Sequence, residues 1–281
     1  MKTIVFEDVR DFDLTHIFEC GQCFRWVPAD DGTGDYIGAA GKNAARISYD
    51  PETECLTVLA AGGDEAFWRR YFDLQTDYSS IKDDLIMRDP GIAEALKYGG
   101  GIRILNQDLF EILISFIISQ NNNIPRIRKN IESICAAYGE YIGKEFGREW
   151  YTFPDPSALA DAEEEDLAAM KLGYRAGYII SASRKYMSDC SCHCIPHCRE
   201  DVLAYRGVGP KVANCIMLFG LRHTDAFPVD TWVKHIMNDM YGFDESDMKG
   251  MERFAHERFG PLAGYAQQYL FYYYRDRGRQ Q

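Results

Sequence analysis

The sequence has 281 residues, a net charge of −12 at pH 7 and a hydrophobic fraction of 46%. This length allows one large or two ordinary domains, and the apolar content is normal for a globular protein with a substantial core. No stretch reaches the roughly eighteen apolar residues of a membrane span, and Glu7 and Asp8 stand where a signal peptide would need an apolar stretch. We therefore expect an intracellular, cytoplasmic protein. The net negative charge disfavours a protein that coats DNA nonspecifically. It allows an enzyme that acts on DNA, because the local electrostatic field at the binding surface matters more than the net charge of the chain.

Alternating apolar residues separated by turn sequences predict an antiparallel meander near the N-terminus. Its strands are expected at residues 24–28, 35–40, 44–49 and 54–60. After Gly63 the pattern becomes helical, and from about Asp108 we expect helices throughout. The predicted fold is an N-terminal α+β domain with an antiparallel sheet and helices, residues 1–104. It packs on an all-α domain, residues 105–281.

The most informative segment is the turn Gly207, Val208, Gly209, which leads directly into a helix beginning near Lys211. Glycine permits positive φ and close backbone approach, and amides at a helix N-terminus attract phosphate. Asp230 follows at the start of the next predicted helix, where its simplest role is an N-cap. Taken alone, the turn is equally consistent with an ordinary connection between two helices.

The lysine, the aspartate and the glycine turn together resemble the helix-hairpin-helix DNA glycosylase superfamily, in its bifunctional glycosylase/lyase branch. The resemblance extends over about residues 16–276. It implies that Lys211 attacks the sugar and that Asp230 assists. An amine that captures the sugar carbon forms a Schiff base, which makes β-elimination at the 3′ phosphate easy. One lysine would therefore support both base release and strand cleavage.

Two polar segments narrow the resemblance to the 8-oxoguanine DNA glycosylase family. In SQNNNIPRI, it implies that Asn121 fills the gap left by a flipped base and that Arg126 reads the opposite cytosine. The local alternative is a polar turn, with Asn123 capping the next helix. In LGYRAGYI, the resemblance assigns stacking on a base to Tyr174 and hydrogen bonding to the cytosine to Arg175. The alternative is a core tyrosine beside a surface arginine.

A predicted base pocket draws on three further segments. The resemblance places an acceptor carbonyl at Gly21, in CGQCFRW, for the hydrogen that 8-oxoguanine carries on N7. On the last helix, Gln267 and Phe271 are four residues apart and share a face. The resemblance implies that Gln267 hydrogen-bonds the Watson–Crick edge of the base and that Phe271 stacks on one of its faces. Cys215, one turn after Lys211, would line the other face. The alternatives are a glycine at the entry to a strand and aromatic core packing.

The sequence departs from the family pattern at two places. Trp232 stands where the family usually has a phosphate-supporting histidine. The segment CSCHCIPHC offers a weak zinc candidate at Cys190, Cys192, Cys194 and Cys198, but its spacing is tight for zinc and a loop of reduced thiols is the favoured interpretation. No cysteine follows Cys215, so we expect no iron–sulfur cluster, and the chemistry requires no cofactor.

The predicted partner is double-stranded DNA containing 8-oxoguanine, bound by a monomer with no membrane association. Three alternatives stay open at this point. One is a glycosylase for another damaged purine, the second is a non-catalytic helix-hairpin-helix DNA-binding protein, and the third is a zinc-dependent regulator built on CSCHCIPHC. Lys211 and Asp230 separate the enzymes from a pure binding module, which needs neither residue.

Overall fold

The computed structural model describes the backbone of residues 1–280 and the side chains of residues 1–277. Its N-terminal part is a five-stranded antiparallel sheet of spatial order β1-β5-β4-β3-β2. The strands are β1 (Lys2–Phe6), β2 (Trp26–Pro28), β3 (Tyr36–Ala40), β4 (Asn43–Asp50) and β5 (Cys55–Ala60). The last four lie where the meander was predicted, whereas β1 and the short helix α1 (Leu14–Glu19) were not predicted.

An aromatic core joins this sheet to α1 and to α2 (Glu65–Tyr71). Phe18 stacks on Trp26 with ring centroids 4.7 Å apart, and Trp26 Nε1 donates to the Tyr71 hydroxyl at 2.7 Å. Buried aromatic pairs of this kind contribute to stability beyond the area that they bury. The connection from α1 to β2, which contains Gly21, is therefore anchored at both ends.

Helices form most of the remaining chain. Their bounds are α3 Tyr78–Arg88, α4 Ala93–Tyr98, α5 Leu109–Ser119, α6 Ile124–Tyr138, α7 Pro156–Ala160, α8 Glu164–Leu167, α9 Arg175–Ser191, α10 Arg199–Leu203, α11 Pro210–Phe219, α12 Thr231–Tyr241, α13 Met248–Phe259 and α14 Ala263–Gln280. Helix α8 continues into a π-helical turn, Ala168–Leu172. None of the helices in the described part of the chain is long and apolar enough to cross a membrane.

The helices share one large core, separate from that of the sheet. Helices α5 and α11 lie deep within it, and Phe116 stacks on Phe219 with ring centroids 5.5 Å apart. Tyr78 and Leu96, from α3 and α4, belong to the helical core, whereas Leu105 packs with the sheet. The fold class of a sheet-containing N-terminal part followed by helices is confirmed. The domain boundary at residue 104 stays a prediction.

The expectation of helices throughout from Asp108 onward was wrong for one segment. Between α6 and α7 the chain forms an antiparallel pair, β6 (Tyr141–Glu145) and β7 (Arg148–Tyr151). Phe146 and Gly147 form its turn, with φ of 53° and 79°. Trp150 packs with Ile37 of β3. The turn glycine and the aromatic residues of this segment favour a hairpin, and packing on the first sheet gives it the buried face that an isolated hairpin lacks.

Candidate active site

An open cleft of about 850 Å³ brings together several of the residues singled out in the sequence, but Arg126, Tyr174 and Arg175 do not line it. Its lining includes Gly21, Asn121, Lys211, Asp230, Trp232 and Phe271. A smaller recess shares Gly21, Lys211, Asp230 and Phe271 with the cleft and adds Cys215 and Gln267. Residues far apart in sequence therefore line one continuous site.

The glycine turn between α10 and α11 has the geometry of a phosphate cradle. Gly207 has a φ of +88°, and a Cβ there would lie 2.4 Å from Tyr178 Cδ2, so the position requires glycine. Val208 is buried and donates its amide to the Tyr205 carbonyl at 3.0 Å. At Gly209, by contrast, a Cβ would meet no described atom within 4 Å. The first amides of α11 have no acceptor within the helix and lie beside this open space, as an anion site requires.

Lys211 lies half-buried in the first turn of α11. Its Nζ is 5.4 Å from the ring centroid of Phe116 on α5. Cys215 follows one turn later, and burial raises the pKa of its thiol, against which the nearby Lys211 amine acts. The recess thus holds an amine, a neutral thiol and an aromatic ring side by side.

Asp230 is the N-cap of α12, as its position in the sequence suggested. Its Oδ1 accepts the amide of Val233 at 2.9 Å. This bond fixes the carboxylate at the wall of the recess that Lys211 also lines. Capping and a chemical role are therefore compatible, because the cap determines where the carboxylate points. Trp232 lines the open cleft two residues later.

The predicted base pocket is formed by the end of α1 and by α14. Gly21 has a φ of +83°, and a Cβ there would lie 3.5 Å from Phe271 Cε1. Gln267 is 3% exposed, and its Oε1 accepts from Gln268 Nε2 at 2.7 Å. A buried amide at the bottom and a ring at the side give the recess the polar and apolar surfaces that a purine needs.

Gln22 fixes the Gly21 turn against the connection between the two cores. Its Nε2 donates to the Arg103 carbonyl at 2.7 Å, and its Oε1 accepts the Leu105 amide at 2.8 Å. Its own carbonyl accepts from Gln107 Nε2 at 2.9 Å. These bonds hold the backbone of Gly21 in place beside Phe271.

The three asparagines after α5 have different tasks. Asn123 caps α6 by accepting the Arg126 amide at 3.0 Å, which confirms the capping alternative for that residue. Asn122 closes the end of α5 by donating to the Ile118 carbonyl at 3.1 Å. Asn121 has a φ of 45° and is exposed on the cleft. Among the three, Asn121 is thus the residue left to meet a ligand.

The segments that carry Arg126 and Arg175 meet in the structure. Arg126 is exposed and donates to the Lys171 carbonyl at 3.1 Å. Arg175 is 5% exposed and donates to the carbonyls of Gln120 and Asn121, the latter at 3.0 Å. Tyr174 beside it is 54% exposed, so the alternative of a core tyrosine with a surface arginine was wrong: the tyrosine is on the surface and the arginine is buried.

The cysteine-rich segment contains free thiols in the structure. Cys190, Cys192 and Cys194 are exposed, and Cys198 is half-buried. Within the described residues the four sulfurs do not form a group with metal-binding distances. The potential ligand atoms that do lie within 4.8 Å of one another belong to His197, Cys198 and Asp201.

Sequence reasoning missed three side chains at this site. Phe116 was part of an apolar run that carried no sign of a functional role, and Gln22 was not singled out within CGQCFRW. Arg275 was not singled out either, although it follows Phe271 by four residues on the same helix. That spacing was the available signal, since Phe271 was already assigned to the pocket.

Two family models cover most of the chain. The 8-oxoguanine DNA glycosylase N-terminal domain matches residues 4–113, and the HhH-GPD superfamily base excision DNA repair protein matches residues 114–261. An N-glycosylase/DNA lyase of Saccharomyces cerevisiae is 34% identical over 81% of this chain and 68% of its own. The N-glycosylase/DNA lyase OGG1 of Arabidopsis thaliana is 28% identical over 93% of this chain and 77% of its own.

A solved structure agrees with these matches. The Clostridium acetobutylicum 8-oxoguanine glycosylase/lyase, in complex with dsDNA containing cytosine opposite to 8-oxoG, superimposes with a TM-score of 0.90. It is 38% identical, and the match covers 98% of this chain and 96% of that one. The chain therefore belongs to the N-glycosylase/DNA lyase family within the HhH-GPD superfamily of base excision DNA repair proteins.

Proposed function

We propose that this enzyme excises 8-oxoguanine opposite cytosine from double-stranded DNA and then nicks the abasic site by β-elimination. The observation that carries the proposal is the shared recess. Lys211 and Asp230, from α11 and α12, line the same space as Gly21, Gln267 and Phe271. Groups for sugar chemistry and groups for purine recognition are thus in reach of one extrahelical nucleotide.

The reaction follows from these groups. When the bond between C1′ and the base N9 breaks, both electrons leave with the base and positive charge develops on the sugar. The fixed Asp230 carboxylate stabilises that charge, and Lys211 Nζ forms a bond to C1′ and gives up a proton. Opening of the sugar ring yields a Schiff base between Nζ and C1′. Loss of a C2′ proton then expels the 3′ phosphate and breaks the strand.

Recognition of the base is assigned to the walls of the recess. The Gly21 carbonyl accepts the N7 hydrogen of 8-oxoguanine, whereas N7 of guanine would face it with a lone pair. Gln267 bonds the Watson–Crick edge, and Phe271 and Cys215 contact the two faces of the ring. A buried acceptor without its donor costs about 1–3 kcal/mol, which supports strong discrimination against guanine.

The rim of the cleft is assigned to the rest of the duplex. The amides that follow Gly207, Val208 and Gly209 bind a backbone phosphate. Asn121 enters the gap in the duplex, Tyr174 stacks on a neighbouring base, and Arg126 and Arg175 donate to the orphaned cytosine. Arg175 is buried against backbone carbonyls, so its contact with cytosine requires that it exchange one of those acceptors for the base.

No cofactor takes part in this scheme, and the enzyme acts as a monomer. Zinc at CSCHCIPHC is disfavoured because Asp201, in the one ligand cluster described, already accepts the amides of His197 and Cys198 at 3.1 and 3.3 Å. These bonds cap α10 and give the cluster a structural explanation. Metal analysis of the purified protein tests this point directly.

Borohydride trapping tests substrate, nucleophile and covalent intermediate together. The enzyme is incubated with a duplex containing one 8-oxoguanine opposite cytosine, and borohydride is added to reduce the Schiff base to a stable amine. A covalent protein–DNA adduct at the lesion is expected. Base release without an adduct would contradict the lysine mechanism, and neither product would contradict the substrate. A duplex with 3-methyladenine in place of the lesion tests the alternative of another damaged purine.

A further inference from the structure

Arg275 is a buried arginine whose guanidinium is only partly bonded. It lies on α14 one turn after Phe271 and is 4% exposed. Its Nη2 pairs with the Asp276 carboxylate at 3.3 Å. Its Nε and Nη1 atoms are buried, and among the residues that the structure describes neither has a hydrogen-bond partner. Charged donors left unbonded in a protein interior are costly, so we expect a ligand to supply the missing acceptor.

The unbonded Nη1 of this guanidinium lies close to Gly21, beside the cleft. Nη1 lies 3.9 Å from the position that a Cβ would occupy at Gly21, and Arg275 lines the cleft together with Gly21 and Phe271. The guanidinium carbon is 5.3 Å from the Phe271 ring centroid and 5.4 Å from that of Tyr272. The rings stabilise the charge through their faces, but the in-plane N–H groups still need an oxygen acceptor.

We propose that Arg275 donates a hydrogen bond from Nη1 to an exocyclic carbonyl oxygen of the extrahelical base. This inference rests on the proposed function, in which the Gly21 carbonyl accepts the N7 hydrogen. The two carbonyl oxygens of 8-oxoguanine, O6 and O8, flank N7, so a donor beside Gly21 meets one of them. Arg275 would thus contact the same edge of the base as the Gly21 carbonyl, but as a hydrogen-bond donor instead of an acceptor.

The same contact favours departure of the base. As the bond between C1′ and N9 breaks, the electron pair left on N9 spreads over the purine onto its carbonyl oxygens. A hydrogen bond from a charged donor to such an oxygen is stronger in the transition state than in the bound substrate. Arg275 is therefore assigned to base release. It has no role in the elimination step, which takes place after the base bond is broken.

Single-turnover kinetics with two substrates test the assignment. Base release is measured on a duplex with 8-oxoguanine opposite cytosine, and strand cleavage is measured on a duplex with a preformed abasic site. Arg275→Met should slow base release about 10- to 100-fold and leave cleavage of the abasic site within about twofold. Arg275→Lys keeps the positive charge on a shorter side chain, so its rate of base release should lie between those of wild type and Arg275→Met. The control is Arg277→Met, which removes an exposed arginine from the same helix and should change neither rate.

Equal slowing of both reactions by Arg275→Met would overturn the proposal, because a structural or DNA-binding role acts on both. Unchanged base release would overturn it as well. A wild-type enzyme that leaves 8-oxoguanine untouched would instead refute the proposed function. Duplexes with 8-oxoadenine, which keeps O8 and lacks O6, identify the acceptor. A comparable loss with this base assigns O8, and a loss confined to 8-oxoguanine assigns O6.

Discussion

The substitution Gly21→Ala adds one methyl group, whose effect on folding stability can be compared with its effect on the rate of base release. Gly21 has a φ of +83°, a conformation that alanine adopts only with strain. The added Cβ would lie 3.5 Å from Phe271 Cε1 and 3.9 Å from Arg275 Nη1, which are ordinary van der Waals contacts. The expected loss of folding stability therefore comes only from backbone strain at this positive φ, and it is about 1–2 kcal/mol. Thermal unfolding should occur roughly 2–8 °C lower.

The effect on activity should exceed this change in stability. The methyl group would occupy the space between the Gly21 backbone and Phe271, where the N7 edge of the base must approach. Loss of one well-placed hydrogen bond to a buried acceptor is worth about 1–3 kcal/mol, or roughly 5- to 150-fold in the rate of base release. Cleavage of a preformed abasic site does not require the pocket and should stay near the wild-type rate.

The assay is single-turnover excision of 8-oxoguanine well below the unfolding temperature of the variant, with the abasic duplex as an internal reference. Lesion binding is measured on the same duplexes, because a crowded pocket should lower the rate more than it lowers DNA affinity. Wild-type excision by a folded Gly21→Ala protein would refute the placement of the N7 edge at this carbonyl. Equal loss on both substrates would point to a misfolded loop.

The other predictions concern the nucleophile, the opposite base and the thiols. Lys211→Gln should retain lesion binding but lose base release, strand cleavage and the borohydride adduct; an adduct formed by this variant would exclude Lys211. Arg126→Ala and Arg175→Ala should weaken cleavage opposite cytosine by roughly 1–3 kcal/mol relative to the other three bases, and a uniform loss would indicate a phosphate or structural role. At pH 8, iodoacetamide should modify exposed Cys190, Cys192 and Cys194 well before Cys20, because burial raises the pKa of the Cys20 thiol to about 11 and thiolate is the reactive form. Peptide mapping that finds Cys20 among the first sites modified would contradict the burial of its thiol.

The local structure around the proposed catalytic groups could be predicted from the sequence because each group belongs to a short segment, whereas their chemical roles came from the family resemblance and stay predictions. A glycine turn before a helix and an aspartate N-cap are determined by a few neighbouring residues, and the structure has both. The pairing of Gln267 with Phe271 follows in the same way from helical spacing. Local rules of this kind also located four strands of the sheet.

Features that depend on distant contacts could not be predicted in this way. The hairpin of β6 and β7 gains its buried face from β3, about a hundred residues earlier in the chain. The burial of Arg175 depends on carbonyls from the loop after α5, which no local pattern around LGYRAGYI reveals. Arg275 resembles a surface base in sequence, and only the packing of α14 against Gly21 gives it a place in the pocket.

The position of Arg175 links two tasks that the sequence treated as separate. Its guanidinium donates to the Asn121 carbonyl at 3.0 Å and also to that of Gln120. Asn121 itself has a φ of 45°, a left-handed conformation that asparagine adopts more readily than most other non-glycine residues. The arginine assigned to the orphaned cytosine therefore also holds the residue assigned to the gap beside it. If Arg175 exchanges one of these carbonyls for cytosine, the Asn121 loop is freed to adjust at the same moment. Recognition of the opposite base and filling of the gap are then expected to be coupled, so Arg175→Ala should impair both. Arg126 donates to the Lys171 carbonyl instead, so Arg126→Ala should impair only recognition of the opposite base.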